Sequence, residues 1–98
     1  MKLQIHSIHF DADQSLIDFI QRKTDKLETF HDRILDGEAF LRINNTGIEN
    51  KTVEIKINLP GNQLFAKEVA KTFEGATDLC TEALRRQLRK IKVKQTAY

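Results

Sequence analysis

From Thr52 to Leu59 the sequence reads Thr-Val-Glu-Ile-Lys-Ile-Asn-Leu, a strict alternation of polar and apolar side chains. Successive side chains of a strand point to opposite faces, so Val53, Ile55, Ile57 and Leu59 form a core face. Thr52, Glu54, Lys56 and Asn58 are left on a wet face, the pattern of an antiparallel sheet covered on one side only. Whatever covers that sheet must come from the remaining chain and must lie on that one side.

The remaining chain supplies the cover. Leu3 and Ile5 alternate with Lys2 and Gln4, predicting a short first strand that ends near His9. Asp11-Ala12-Asp13 offers helix caps, and Leu16, Ile20, Leu27, Phe30 and Ile34 recur on one face, predicting a helix from about Asp13 to Arg33. Asp36-Gly37 is expected to break it. A second strand follows from about Glu38 to Asn44, with Ala39, Leu41 and Ile43 on one side and Phe40 and Arg42 on the other. Asn44 to Asn50 is turn chemistry, Pro60-Gly61-Asn62 turns a hairpin, and Gln63 to about Lys71 forms the fourth strand. A last helix, roughly Thr72 to Lys92, buries Phe73, Ala76, Cys80, Leu84, Leu88 and Ile91 at steps of three and four. The order is β-α-β-β-β-α. A right-handed crossover makes the first two strands parallel and hairpins make the others antiparallel. The expected fold is therefore an α+β two-layer sandwich, a four-stranded mixed sheet with two helices on one face. Its α-β-β-β-α portion resembles a double-stranded RNA-binding domain.

Several function classes drop out. Ninety-eight residues form one expected domain, 1–98. No apolar run approaches the roughly 18–20 residues of a membrane span, and Met1 to His6 has no signal-peptide character. The single Cys80 forms no internal disulfide and lies within a core stripe, where it reads as a small buried hydrophobe. His6 and His9, three apart in a strand, point to opposite faces, and His31 has no second ligand at metal spacing. There is no phosphate loop and no nucleophile elbow. A cytoplasmic protein with no cofactor, no metal and no catalytic residues is expected.

The charge pattern is more telling. Residues 1–84 hold ten Lys or Arg against all fourteen acids, whereas residues 85–94 hold six basic residues and no acid. Two or three cations would complement a helix C-terminus; six in ten residues point to a polyanion. At 100° per residue, Arg22, Lys26 and Arg33 fall within about 40° of one another on the first helix. Lys23 lies inside the apolar stripe, with its ammonium emerging between the helices or snorkelling over apolar surface. On the last helix Arg85, Arg89 and Lys92 share one flank, with Arg86 and Lys90 on the other side. Helices lying side by side merge these cations into one surface. The wet sheet face, with Phe40 and Phe65 as its aromatics, is too charged for a base-stacking RNA reader. Glu74, Asp78 and Glu82 at the start of the last helix disfavour general duplex-RNA binding. Gly75, inside that helix, costs roughly 1 kcal/mol against alanine, which a close approach to a neighbouring strand or RNA would explain.

Phe19-Ile20-Gln21-Arg22-Lys23-Thr24-Asp25-Lys26-Leu27-Glu28, with Phe30 and Asp32-Arg33-Ile34, resembles the first-helix motif of bacterial ribosome hibernation promoting factors. Phe73-Glu74-Gly75-Ala76-Thr77-Asp78, with Leu84 to Lys92, resembles their second-helix motif. The resemblance, which extends to the related ribosome-associated translation inhibitors, spans essentially the whole chain. It implies binding to the small (30S) ribosomal subunit between head and body, over the paths of messenger RNA and A- and P-site transfer RNA, silencing translation in stationary phase or stress. By matching positions it implies ribosomal RNA contacts from Lys23, Lys26, Arg33, Arg86, Lys90 and Lys92. The charge pattern adds Arg22, Arg85, Arg89 and Lys94. Ending at Tyr98 without the family's dimerisation domain, the chain is expected to be a short form. The resemblance then implies a monomer off the ribosome and a separate partner that pairs ribosomes. Ile91 stands where the family often has histidine. The competing class is a protein-interaction module regulating a transcription factor through its open sheet face.

Overall fold

Pairing partners on both sides are what a half-wet, half-apolar strand needs, and β3 (Lys51–Leu59) has them in β2 (Asp36–Ile43) and β4 (Asn62–Ala70). In the computed structural model, which describes residues 1–45 and 47–96 and side chains as far as Ile91, the sheet order is β1-β2-β3-β4. The first strand, β1 (Lys2–Ser7), runs parallel to β2, and the other pairs are antiparallel. The expected α+β architecture is the one found. Pro60-Gly61 closes the β3–β4 hairpin in two residues, with Gly61 at φ +73°, where glycine carries no Cβ penalty.

Two helices cover the apolar face. α1 (Gln14–Asp25) starts at Asp13, whose carboxylate accepts from the Leu16 N–H at 2.9 Å and from the Ser15 hydroxyl at 2.9 Å. Residues 26–33 do not continue it as expected: Lys26–Thr29 tighten into a 3-10 turn and the chain then leaves the helix. The Thr24 hydroxyl donates to the Ile20 carbonyl at 2.7 Å, a back-bond of the kind that bends helices. The tighter turn still carries Leu27 into the core and leaves Phe30 and Ile34 packed at its margin. α2 (Phe73–Thr96) lies across β3 and β4, and Phe73, Ala76, Thr77, Cys80, Leu84 and Leu88 are buried on it. The hydroxyl of Thr72 caps α2, accepting from the Gly75 N–H at 2.9 Å. A Cβ on Gly75 would lie 3.1 Å from that hydroxyl and at an ordinary contact distance, 3.5 Å, from the Ala70 Cβ of β4, so the cap and not the neighbouring strand crowds this position.

Two further readings are corrected. Asp36-Gly37 does not break α1; it opens β2. Gly37 is buried, and a Cβ there would meet the Lys56 carbonyl oxygen at 2.9 Å and methyl carbons of Ile57 and Leu3 at 3.0 and 3.1 Å. Gly37→Ala is therefore expected to cost about 1–3 kcal/mol. A fall in the urea midpoint with an unchanged m-value checks it; an unmoved midpoint would mean that the strands part there without cost. Thr52 is not on a wet surface: it is 3% exposed, and its hydroxyl accepts from the Asn44 amide at 2.9 Å.

Candidate nucleic-acid interface

Both helices lie on one side of the sheet, so the groove between their outer faces brings their cations together. Lys23 of α1 meets Asp78 of α2 at 3.2 Å, and the Arg85 guanidinium lies 5.9 Å from the centre of the Phe30 ring. From the first contact to the second both chains advance seven residues, 23 to 30 and 78 to 85, so the two segments run in the same direction. The cations that follow each acidic stretch are thereby gathered at one end.

Arg22 and Lys26 stand exposed on the outer flank of α1 and its 3-10 extension. The Phe19 ring steers two neighbours, with the Arg22 guanidinium at 5.6 Å and the Lys23 ammonium at 5.5 Å from its centre. Lys23 does emerge in the groove, but ion-paired. Arg33 joins the surface by a route the helical wheel misplaces, since α1 has ended before it. Its backbone N–H donates to His31 Nδ1 at 3.1 Å, and both residues line an open cleft with the Pro60-Gly61 turn and Ile91 of α2. Arg33 thus reaches the basic end of α2 through a loop.

On α2, Arg86, Arg89 and Lys90 are exposed and Arg85 is half-buried. Arg85 Nε donates to Glu82 Oε2 at 3.2 Å, its Nη2 also binds Glu82 Oε1, and Arg86 Nη1 lies 3.5 Å from the same oxygen. The hydrogen bonds from Arg85 hold the Glu82 carboxyl below its ordinary range, so it stays ionised at neutral pH. Among the described residues no carboxylate lies within ion-pair distance of Arg22, Lys26, Arg33, Arg89 or Lys90. Lys92 and Lys94 continue α2, and their side chains lie outside the described residues.

The sequence pattern found the cations but missed what holds them: Phe19, Phe30, Asp78 and Glu82. Phe19 lies on α1 and Phe30 just past the 3-10 turn, both packed against the core, and a basic residue three or four positions on was the available signal for Phe19. The histidines do not converge. His6 Nε2 lies 3.1 Å from Glu38 and its ring stacks on Phe40 at 4.9 Å, on the open sheet face. His9 follows β1 exposed, at φ 64°. Among the described residues no group of three or more His, Cys, Asp or Glu is placed to hold a metal, and no helix is long and apolar enough to cross a membrane.

The family described as "Sigma 54 modulation protein / S30EA ribosomal protein" matches residues 3–96. The chain is 26% identical over 95 residues to the ribosome hibernation promoting factor of Pseudomonas putida, covering 97% of this chain and 90% of that protein. It is 28% identical over 94 residues to the ribosome hibernation promotion factor of Bacillus subtilis, covering 96% of this chain and 50% of that protein. The chain thus spans most of the first relative and about half the length of the second; it also spans 49% of a Deinococcus radiodurans relative. Among solved structures, a ribosomal subunit interface protein from Coxiella burnetii superposes with a TM-score of 0.85 at 24% identity, over 95% of this chain and 99% of that one. The N-terminal domain of Protein Y from Thermus thermophilus gives 0.82 at 18% identity, over 93% and 99%. At these identities the two structures establish a shared fold.

Proposed function

The chain belongs to the Sigma 54 modulation protein / S30EA ribosomal protein family, and from that premise we propose that it is a ribosome hibernation factor, acting in the cytoplasm as one ribosome-binding unit over residues 1–98. Relatives named for ribosome hibernation support the reading. The observation that carries it is the gathering of cations from two helices on one face, with Arg22, Lys26, Arg33, Arg89 and Lys90 free of described carboxylate partners. The unit docks on the small subunit between head and body. Its helices meet rRNA phosphates through Arg22, Lys23, Lys26, Arg33, Arg85, Arg86, Arg89, Lys90, Lys92 and Lys94, and its bulk occludes messenger and transfer RNA. Counterion release supplies much of the affinity, and no catalytic step is required.

Sucrose-gradient co-sedimentation with ribosomes from the source organism tests this. Co-migration with small subunits and whole ribosomes at low salt, lost at high salt, is expected. On purified small subunits, log affinity against log salt should fall with a slope of about −4 to −8, as six to nine phosphate contacts require. Protein that stays at the top of the gradient at low salt refutes the reading, and a slope near −1 refutes its electrostatic mechanism.

The open sheet face supports the second reading, a protein-interaction module. Phe65 and Val69 of β4 are 46% and 38% exposed there, on the face that also carries the His6–Phe40 stack of β1 and β2. Binding through that face would survive high salt.

A further inference from the structure

Two acids sit within the basic surface itself. Glu82 closes the Nε and Nη2 edge of Arg85, and Phe30 covers the guanidinium face at 5.9 Å. The same carboxylate reaches Arg86 at 3.5 Å, and one turn earlier Asp78 holds Lys23 of the other helix at 3.2 Å. Three cations of the interface are therefore already occupied by two carboxylates. Fold stability is a poor explanation, since exposed ion pairs contribute little. The helix dipole is another poor one: Glu82 lies at the tenth residue of α2, well past the first turn where the dipole acts.

We propose that Glu82, assisted by Asp78, is a specificity determinant of this surface, a built-in competitor for the phosphate positions on Arg85, Arg86 and Lys23. The inference rests on the ribosome-binding reading above. A polyanion that engages these cations one at a time merely exchanges a carboxylate for a phosphate, and gains little. An RNA surface that presents phosphates to Arg89, Lys90 and the α1 flank is held there whether or not Arg85, Arg86 and Lys23 give up their carboxylates, so it does not depend on the displacement. Selectivity then comes from weakening the wrong partners rather than from an added contact to the right one. The discriminating quantity is the ratio of specific to generic affinity.

The test compares Glu82→Gln and Asp78→Asn with the unsubstituted protein on two probes across a range of monovalent salt. One is a mixed-sequence RNA duplex of about 16 base pairs, the length a duplex-binding domain spans; the other is purified small ribosomal subunits. Glu82→Gln keeps the side chain's length and an amide in place of the carboxylate, so it removes charge with little change of shape. It should bind the duplex about tenfold more tightly at low salt, with a log–log slope steeper by about one to two, as release of Arg85 and Arg86 requires. Small-subunit affinity should rise by less than about threefold, under 1 kcal/mol. Asp78→Asn should shift duplex binding in the same direction through Lys23. Unchanged duplex affinity and slope, an equal gain on both probes, or weakened subunit binding overturns the proposal. Absence of subunit binding by the unsubstituted protein sinks the functional reading, and the specificity ratio with it. An unaltered duplex slope with subunit binding intact sinks only the role of Glu82.

Discussion

Arg86→Glu, Arg89→Glu and Lys90→Glu introduced together should weaken binding to purified small subunits by about a thousandfold or more at moderate salt. Each lost phosphate contact forfeits close to tenfold near 0.1 M salt, and each new carboxylate adds repulsion. The fold should hardly notice. All three side chains are exposed, and none belongs to the buried set on α2. The only described ion pair lost is that of Arg86 with Glu82. Surface changes of this kind stay near half a kcal/mol each, about 1.5 kcal/mol together, so the melt should move by no more than about 6–12 °C. Parallel binding and thermal-melt measurements separate two outcomes. Binding kept within tenfold would place the interface elsewhere, on the sheet face first. A collapsed melt would mean that these residues serve the fold.

That separation is available because fold and site are written in different parts of the sequence. The alternation from Thr52 to Leu59 specified β3 and its core face, and Val53, Ile55 and Ile57 are wholly buried. The three- and four-residue steps of α2 were equally legible, from Phe73 to Leu88. Periodicity is less informative about where an element stops. Leu27, Phe30 and Ile34 extend the helical pattern of α1, yet the chain tightens at Lys26 and leaves the helix. The back-bond of Thr24 to Ile20 that accompanies this change has no signature in hydrophobic spacing. Gly37 illustrates a second ambiguity. A glycine after an acid looks like a helix stop, but the same missing side chain admits a tightly packed strand, and the Lys56 carbonyl decides between them.

The candidate site was legible as charge and not as geometry. The block from Arg85 to Lys94 is plain in the composition, and so are Arg22 and Lys26 on a helix flank. In the sequence Asp78 and Glu82 are only acids in the first half of the last helix, a mark against duplex-RNA binding. Their partners are set by three-dimensional placement: Lys23 reaches Asp78 only because α1 and α2 run side by side in one direction. The approach of Arg33 to Ile91 depends on the path of a loop, which no wheel describes.

The largest stability effect is expected at Leu84, which is fully buried on the sheet-facing side of α2 between Cys80 and Leu88. Leu84→Ala removes three carbons from a site framed by two strands and a helix, where collapse is restricted, so a loss of about 3 kcal/mol is expected. For a chain this size that lowers the melting temperature by roughly 12–24 °C. Cys80 supplies an independent readout one turn away. Its thiol donates to the Val53 carbonyl at 3.2 Å, and burial pushes its pKa up to about 12. At pH 8 the native thiolate is about one part in ten thousand and shielded from reagent, so labelling proceeds through opening of the α2–sheet contact. A 3 kcal/mol loss raises the open population, and the labelling rate with it, by roughly a hundredfold. The charge-reversed protein should label within about tenfold of the unsubstituted rate, since its substitutions lie on the outer face. If Leu84→Ala leaves Cys80 labelling unchanged while the melt falls, the thiol is reached by a local path and α2 does not detach as a unit. If both stay unchanged, Leu84 does not pin α2 to the sheet, and the basic end it carries is held by Phe73, Ala76 and Leu88 instead.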